Sequence, residues 1–326
     1  MAELLLVEAV RAALARALEE DPRTVVLGQD VGRKGGVFQA TAGLHERFGP
    51  ARVRDTPLAE TMIAGLAVGM STHGLVPIAE IQFLGFLYPC LDNLANHAAR
   101  MRTRTRGRLT CPLVVRTTHG GRVHAPEHHS EAIESMLAHV PGLRVVIAST
   151  PLDAYRLLLA AIRDPDPVVF LEPTRLYRAY REEVPDDGIA GELDRCALRR
   201  EGDDITIVSW GASMTEALAA ADALAVDGVA ATVVDVRTLA PLDATGVLDA
   251  VRRTGRCVIV HEGARRAGFG AEIAAEIAEH AATSLLAPVQ RVTGYDVVVP
   301  LARLEGAYAP GTGRVLEACR RALAYA

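Results

Sequence analysis

The stretch "AETMIAGLAVGMSTHGLVPIAEI" (residues 59–81) holds the unit from which this chain is built. Its first part, 59–74, carries apolar residues at helical spacing. Its second part, "LVPIAEI" (75–81), is a short apolar run that predicts a buried strand. The same alternation extends in both directions. "TVVLG" (24–28), "PLVVRT" (112–117), "RVVIAS" (144–149) and "PVVFLE" (167–172) read as strands. "FLGFLYPCLDNLANHAARMR" (83–102) and "PLDAYRLLLAAIRD" (151–164) read as helices, and the N-terminal "MAELLLVEAVRAALARALEEDP" as an amphipathic helix. Strands separated by helices predict an α/β fold with a mostly parallel sheet covered on both faces.

Residues 181–196, "REEVPDDGIAGELDRC", interrupt the pattern with acids, a proline and glycines, and predict a surface connection. Beyond it the alternation resumes in "ITIVSWG", "VAATVVDVR", "CVIVHEG" and "VQRVTGYDVVV". Two domains are therefore expected: 1–180, a linker over 181–196, and a smaller α/β domain over 197–326. The length of 326 residues suits that division.

Half the residues are hydrophobic and 23% are charged, as in soluble globular proteins. A formal charge of −5 gives no electrostatic reason to expect nucleic acid or an anionic membrane as partner. The acidic N-terminal segment lacks the positive charge of a signal peptide, and no apolar run reaches the ~18 residues of a membrane span. A cytoplasmic protein is expected. The 5 cysteines are scattered without a C-x-x-C pair, so they read as ordinary apolar residues. Lys34 is the only lysine, and no G-x-x-x-x-G-K-[ST] surrounds it, which disfavours Schiff-base and P-loop chemistry. "GFGAEI" (268–273) lacks the third glycine of a dinucleotide fingerprint and reads as a simple helix start. The arginines at 100, 102, 104, 106 and 108 have no interleaved aromatics and read as a solvated helix end.

Two features hold chemistry in view. Glu60 opens a strongly apolar helix. It is either a first-turn acid favoured by the helix dipole, or a carboxylate beside an apolar pocket that shares a proton with a ligand nitrogen. "HGGRVHAPEHHSE" (119–131) gathers His119, His124, His128 and His129. A polar loop, a metal site and one catalytic histidine among bystanders all remain open, although the adjacent rings of His128 and His129 are expected to diverge.

With Glu60 and His129 considered together, the chain resembles a known family along essentially its whole length. It is similar to the beta subunit of the thiamine-diphosphate-dependent decarboxylase component of 2-oxoacid dehydrogenase complexes. The resemblance is carried by "GGVFQATAGLHERFG" (35–49), "RVRDTPLAE" (52–60), "PIAEIQF" (77–83) and "HHSEAIESMLAHVPGLRVV" (128–146). It continues in "VVDVRTLAPLD" (233–243), "TGRCVIVHEG" (254–263) and "LLAPVQRVTGYD" (285–296). It implies a pyrimidine-binding domain followed by a domain of the transketolase C-terminal type.

The resemblance also implies residue roles. Glu60 would bind N1′ of the cofactor's aminopyrimidine, with Leu58, Gln82 and Phe86 lining that pocket. His129 would be the active-site histidine that supplies a proton as the acyl group passes to a lipoyl disulfide. A potassium ion would be bound by carbonyls at Leu113, Ala161, Ile162, Asp164 and Asp166, where Asp166 replaces the asparagine of relatives. Gln29 in "GQD" (28–30) replaces an acid. The family's magnesium–diphosphate motif, Gly-Asp-Gly with a later asparagine, has no counterpart: "GDD" (202–204) is followed by none. The resemblance therefore implies an alpha subunit that holds magnesium and the diphosphate, in an alpha2-beta2 assembly serving a lipoyl-bearing acyltransferase core. "LEPTRLYRAYREEVP" (171–185) looks closest to the branched-chain type, with pyruvate and acetoin as alternatives. A non-catalytic assembly subunit of the same fold is the rival from another class, and a self-sufficient transketolase-like enzyme is disfavoured by the missing motif.

Overall fold

The computed structural model describes residues 1–325. The elements of the first part run β1 (Ala2–Leu5), α1 (Leu6–Glu20), β2 (Thr24–Gln29), α2 (Leu44–Phe48), β3 (Val53–Thr56), α3 (Glu60–Thr72), β4 (Val76–Ile81) and α4 (Met101–Arg104). They continue as β5 (Val114–His119), α5 (Glu134–Ala138), β6 (Arg144–Ile147), α6 (Pro151–Arg163), β7 (Val168–Pro173) and β8 (Arg181–Val184). The later elements are β9 (Ala197–Arg200), β10 (Ile205–Ser209), α7 (Met214–Val226), β11 (Ala231–Asp235), β12 (Thr238–Ala240), α8 (Ala244–Thr254), β13 (Cys257–Ala264), α9 (Phe269–His280), β14 (Gln290–Gly294), α10 (Ala302–Tyr308) and α11 (Thr312–Leu323). The α/β class is as expected.

Two compact units emerge. Met1–His119 and Met136–Leu193 form the first; Gly120–Ser135 and the chain from Asp194 onward form the second. The histidine-rich loop thus belongs with the C-terminal unit, although in sequence it interrupts the N-terminal one.

In the first unit the strands lie in the order β6-β7-β5-β4-β2-β3, all parallel. The chain turns outward from β2 to β3, then returns past β2 to β4, so β2 and β4 flank a topological switch. Ligands in such sheets sit beyond the carboxyl ends of the strands at that point. The ends there are Gln29, Thr56 and Ile81. Helix α6 starts with Thr150 capping the Asp153 N–H at 3.1 Å and Pro151 in the first turn.

Three local expectations change. The predicted helix over 83–102 is a 3-10 segment (Leu84–Cys90), a π segment (Asp92–Ala98) and the short α4, because Pro89 has no N–H to continue an α ladder. The N-terminal helix is preceded by β1, which pairs antiparallel with β8. That strand occupies part of the stretch 181–196 expected to be a linker.

In the second unit the sheet order is β14-β13-β10-β11-β9, parallel except for β9. Small residues on α7 and α11 (Ala217, Ala220, Ala221, Ala318, Cys319, Ala322) pack into one core with Ile207, Val233 and Val260. Helix α8 is capped by Asp243, which accepts from Gly246 N–H at 3.0 Å, and ends on the left-handed Gly255. Residues 268–273 are a helix start, Gly268 standing just before α9. All five cysteines are free. Among the described residues no helix is long and apolar enough to cross a membrane.

Candidate active site

Glu60 is the first residue of α3, reached from the end of β3 by a three-residue link, Pro57–Leu58–Ala59. Ala59, which precedes it, offers no side-chain cap, so the first-turn N–H groups favour a negative charge here. The carboxylate is half-buried, and among the described residues no guanidinium or hydrogen-bond donor is set against it. Its neighbour is the buried Cys90, whose thiol is pushed up to about 12 by burial and by the Glu60 charge. Helix α3 is pinned to the following segment by Thr61 Oγ1 on the Pro89 carbonyl at 3.1 Å and by Asn93 Nδ2 on the Thr61 carbonyl at 3.2 Å.

The other expected pocket residues gather at the same sheet edge. Gln82 follows β4, donates to the Gln29 carbonyl at 3.4 Å across the switch point, and accepts from Thr118 Oγ1 at 3.0 Å on its own carbonyl. Phe86 lies edge-on to Phe83 at 5.6 Å, and Phe83 meets Phe38 at 5.7 Å, so an aromatic row stands beside the edge. Leu58 is 70% exposed, and Met62, Leu66 and Tyr88 are exposed as well. An acid without a counter-ion, next to aromatic and apolar side chains, fits a protonatable aromatic ring.

Directly beneath Gln82 lies a feature that the sequence reading missed. Glu80, Arg116 and Glu172 come from the adjacent strands β4, β5 and β7, and all are buried. Arg116 donates from Nε to Glu172 Oε1 at 2.8 Å and from Nη2 to Oε2 at 2.7 Å, and bonds Glu80 through Nη1. The Tyr177 hydroxyl donates to Glu172 at 2.5 Å. Burial pushes the Glu80 carboxyl up, with the Arg116 charge opposing and Glu172 adding to it. Burial and the neighbouring Glu172 likewise hold the Tyr177 hydroxyl protonated. A signal existed: "PIAEI", "LVVRT" and "VVFLE" each place one charged residue inside an apolar strand, with signs that can pair.

The histidines separate. His119 ends β5 in the first unit and is buried. His124, with φ +59°, donates its backbone N–H to Glu305 at 3.2 Å. His128 and His129 sit on a 3-10 turn (Glu127–His129) with ring centroids 4.2 Å apart, so the expected divergence of their side chains does not occur. Burial, aided by His128 and opposed by Glu127, lowers the His129 pKa, which favours the neutral imidazole. Glu60 and His129 fall in different units. Among the described residues no three His, Cys, Asp or Glu side chains form a group that could hold a metal ion.

The residues expected near potassium are also engaged. Asp164 pairs with Arg144 at 2.9 Å and Asp166 with Arg102 at 2.9 Å. The Leu113 carbonyl accepts from Val168 N–H at 3.0 Å and that of Ala161 from Asp164 N–H at 3.3 Å, while Ile162 is buried. Both carboxylates are thus engaged by arginines within the fold. In "GDD" (202–204), Asp204 accepts from Ala230 N–H at 2.6 Å and Gly202 N–H donates to Thr232 at 3.0 Å; the motif shapes a turn.

The transketolase pyrimidine-binding domain matches residues 3–179, and the transketolase C-terminal domain matches 194–315. Pyruvate dehydrogenase E1 component subunit beta of Bacillus subtilis is 46% identical over 325 residues, 100% of each chain. The same subunit of Acholeplasma laidlawii is 45% identical over 321 residues, 98% of each. A solved split-gene transketolase, described as an inactive beta4 tetramer, aligns with a TM-score of 0.81 at 25% identity over 99% of both chains. With a half-buried acid opening the helix that follows β3 in a transketolase-type sheet, the chain belongs to the family of beta subunits of the thiamine-diphosphate-dependent decarboxylase component of 2-oxoacid dehydrogenase complexes.

Proposed function

We propose that this chain supplies the aminopyrimidine half of a thiamine diphosphate site and, with an alpha subunit in an alpha2-beta2 assembly, decarboxylates pyruvate and passes the acyl group to a lipoyl-bearing acyltransferase core. The observation that carries the reading is Glu60, without a counter-ion at the start of α3, a helix that packs against the Leu84–Cys90 segment carrying Phe86. The cofactor, when bound, supplies an electron sink for loss of CO2. Glu60 holds a proton at N1′, Gln82 and Phe86 orient the ring, and His129 moves a proton near the acyl carbon. Magnesium and the diphosphate fall to the alpha subunit. The exposed Leu58, Met62 and Leu66 give it an apolar face to cover.

Pyruvate replaces the branched-chain 2-oxoacid expected from "LEPTRLYRAYREEVP", because the similar proteins are pyruvate dehydrogenase subunits. That stretch is occupied by packing: Glu172 and Tyr177 belong to the buried ion cluster, and Arg181 pairs with Glu8 at 2.7 Å. The test is co-expression with an alpha-type subunit and a screen of 2-oxoacids. Decarboxylation of pyruvate ahead of branched-chain acids supports the reading, and the reverse order restores the branched-chain one.

A further inference from the structure

The loop that carries His129 is held by carboxylates from three distant elements of its own unit. Gly121 N–H donates to Glu262 Oε2 at 3.1 Å, Arg122 Nη1 to Glu216 Oε1 at 2.7 Å, and His124 N–H to Glu305 Oε2 at 3.2 Å. Glu262 comes from β13, Glu216 from α7 and Glu305 from α10. All three are buried. A bond from Gly120 N–H to the Glu131 carbonyl at 3.0 Å closes the loop at its base.

The backbone between those anchors is unfavourable by itself. Gly120, Arg122 and His124 have φ of +80°, +62° and +59°, a conformation that non-glycine residues adopt only when the surroundings impose it. A Cβ on Gly120 would collide with the Glu262 carboxylate, so the loop is seated tightly on that acid. Backbone N–H bonds to carboxylates are stronger than those to neutral acceptors. They are the evident compensation here. Glu305 is 3% exposed, and its Oε1 has no hydrogen-bond partner among the described residues. It lines a small cavity with Gly121, Arg122, Ser130 and Tyr308. The acidity of this floor also shows in Tyr308, pushed up to about 12 by burial and by Glu131, Glu262 and Glu134. An acid buried with one oxygen unsatisfied costs stability. Its other oxygen does one visible thing: it fixes the register of the loop at His124.

We propose that Glu305, together with Glu262, is a positioning residue for His129, holding the 120–131 loop so that the imidazole keeps one orientation. The inference rests on the reading of His129 as the active-site histidine. Neither acid touches substrate or cofactor; both act through the loop backbone.

The experiment uses the assembled enzyme with its alpha subunit and compares Glu305→Ala, Glu305→Gln and Glu262→Gln. Hydrogen exchange of residues 121–131 reports on the loop without reference to activity. Lipoyl acylation and decarboxylation with an artificial electron acceptor are read in parallel. Glu305→Ala is expected to speed exchange across the loop and to lower the ratio of acylation to artificial-acceptor turnover by about 10-fold, the scale of a misplaced catalytic group. Glu305→Gln, whose amide oxygen still accepts from His124, should recover most of both; Glu262→Gln should do the same for Gly121. Unchanged exchange and acylation in Glu305→Ala overturn the proposal, as does an equal loss of both activities with a lowered melting temperature. His129→Ala distinguishes the two readings. If it leaves acylation intact, the assignment of His129 fails, while loop exchange in Glu305→Ala still decides whether the acids hold the loop.

Discussion

Arg116 and Glu172 meet in a two-point ion pair, 2.8 and 2.7 Å, inside the first unit's sheet, with the guanidinium only 2% exposed. Removing the cation strands Glu172 and Glu80 in the interior. Arg116→Ala is expected to destabilise the fold by about 3–5 kcal/mol, the range for breaking a buried pair. Urea denaturation of the purified chain measures it, and a loss typical of an exposed arginine would contradict the burial argument.

Glu80 in the same cluster makes a pH-dependent prediction. Its folded pKa lies above the ordinary 4.5 because burial disfavours the anion. The folded state therefore binds the Glu80 proton more tightly than the unfolded state does. The stability this confers is complete below the unfolded value and is lost as pH rises through the folded one. Glu80→Gln cannot titrate, so its stability deficit relative to wild type should shrink as pH rises above the ordinary carboxylate range. A deficit that does not change with pH would contradict a raised Glu80 pKa.

Glu60→Gln should leave assembly intact and lower decarboxylation by roughly 10²–10⁴, since an amide cannot share the pyrimidine proton. Near-normal turnover in a correctly assembled variant would return Glu60 to the role of a first-turn acid that only stabilises α3.

His129→Ala should lower acyl transfer to a lipoyl acceptor by about 10²-fold, with smaller effects from replacing His119, His124 or His128. Because burial holds the His129 pKa below the ordinary 6.5, any acidic limb that it imposes on activity should fall below that value. Equal losses in all four variants, together with zinc restoring the wild type after chelation, would reinstate a metal site.

The isolated chain should bind thiamine diphosphate weakly even with magnesium, because "GDD" is engaged in a turn and no metal-binding group occurs among the described residues. Calorimetry on the purified chain is the check. Tight, magnesium-dependent binding would mean that the diphosphate half is also present here.

The alternation of β2, β4, β5 and β7 with α3 and α6, and the placing of Glu60 at the opening of α3, were legible in the sequence, because periodicity and helix-start chemistry act over a few residues. Pro89 was legible too, yet its consequence in 83–102 was overridden by the apolar pattern around it. Other features are tertiary. Arg116 and Glu172 are 56 residues apart, and only the parallel register of β5 and β7 brings their charges together. β1 finds β8 across the whole first unit. The histidine-rich loop joins the C-terminal unit because Glu216, Glu262 and Glu305 accept its N–H groups from positions 94 to 181 residues away. Local pattern records which residue types a segment needs. Which distant partner satisfies a buried charge or an outlying backbone N–H is settled only when the sheet and helices have closed around it.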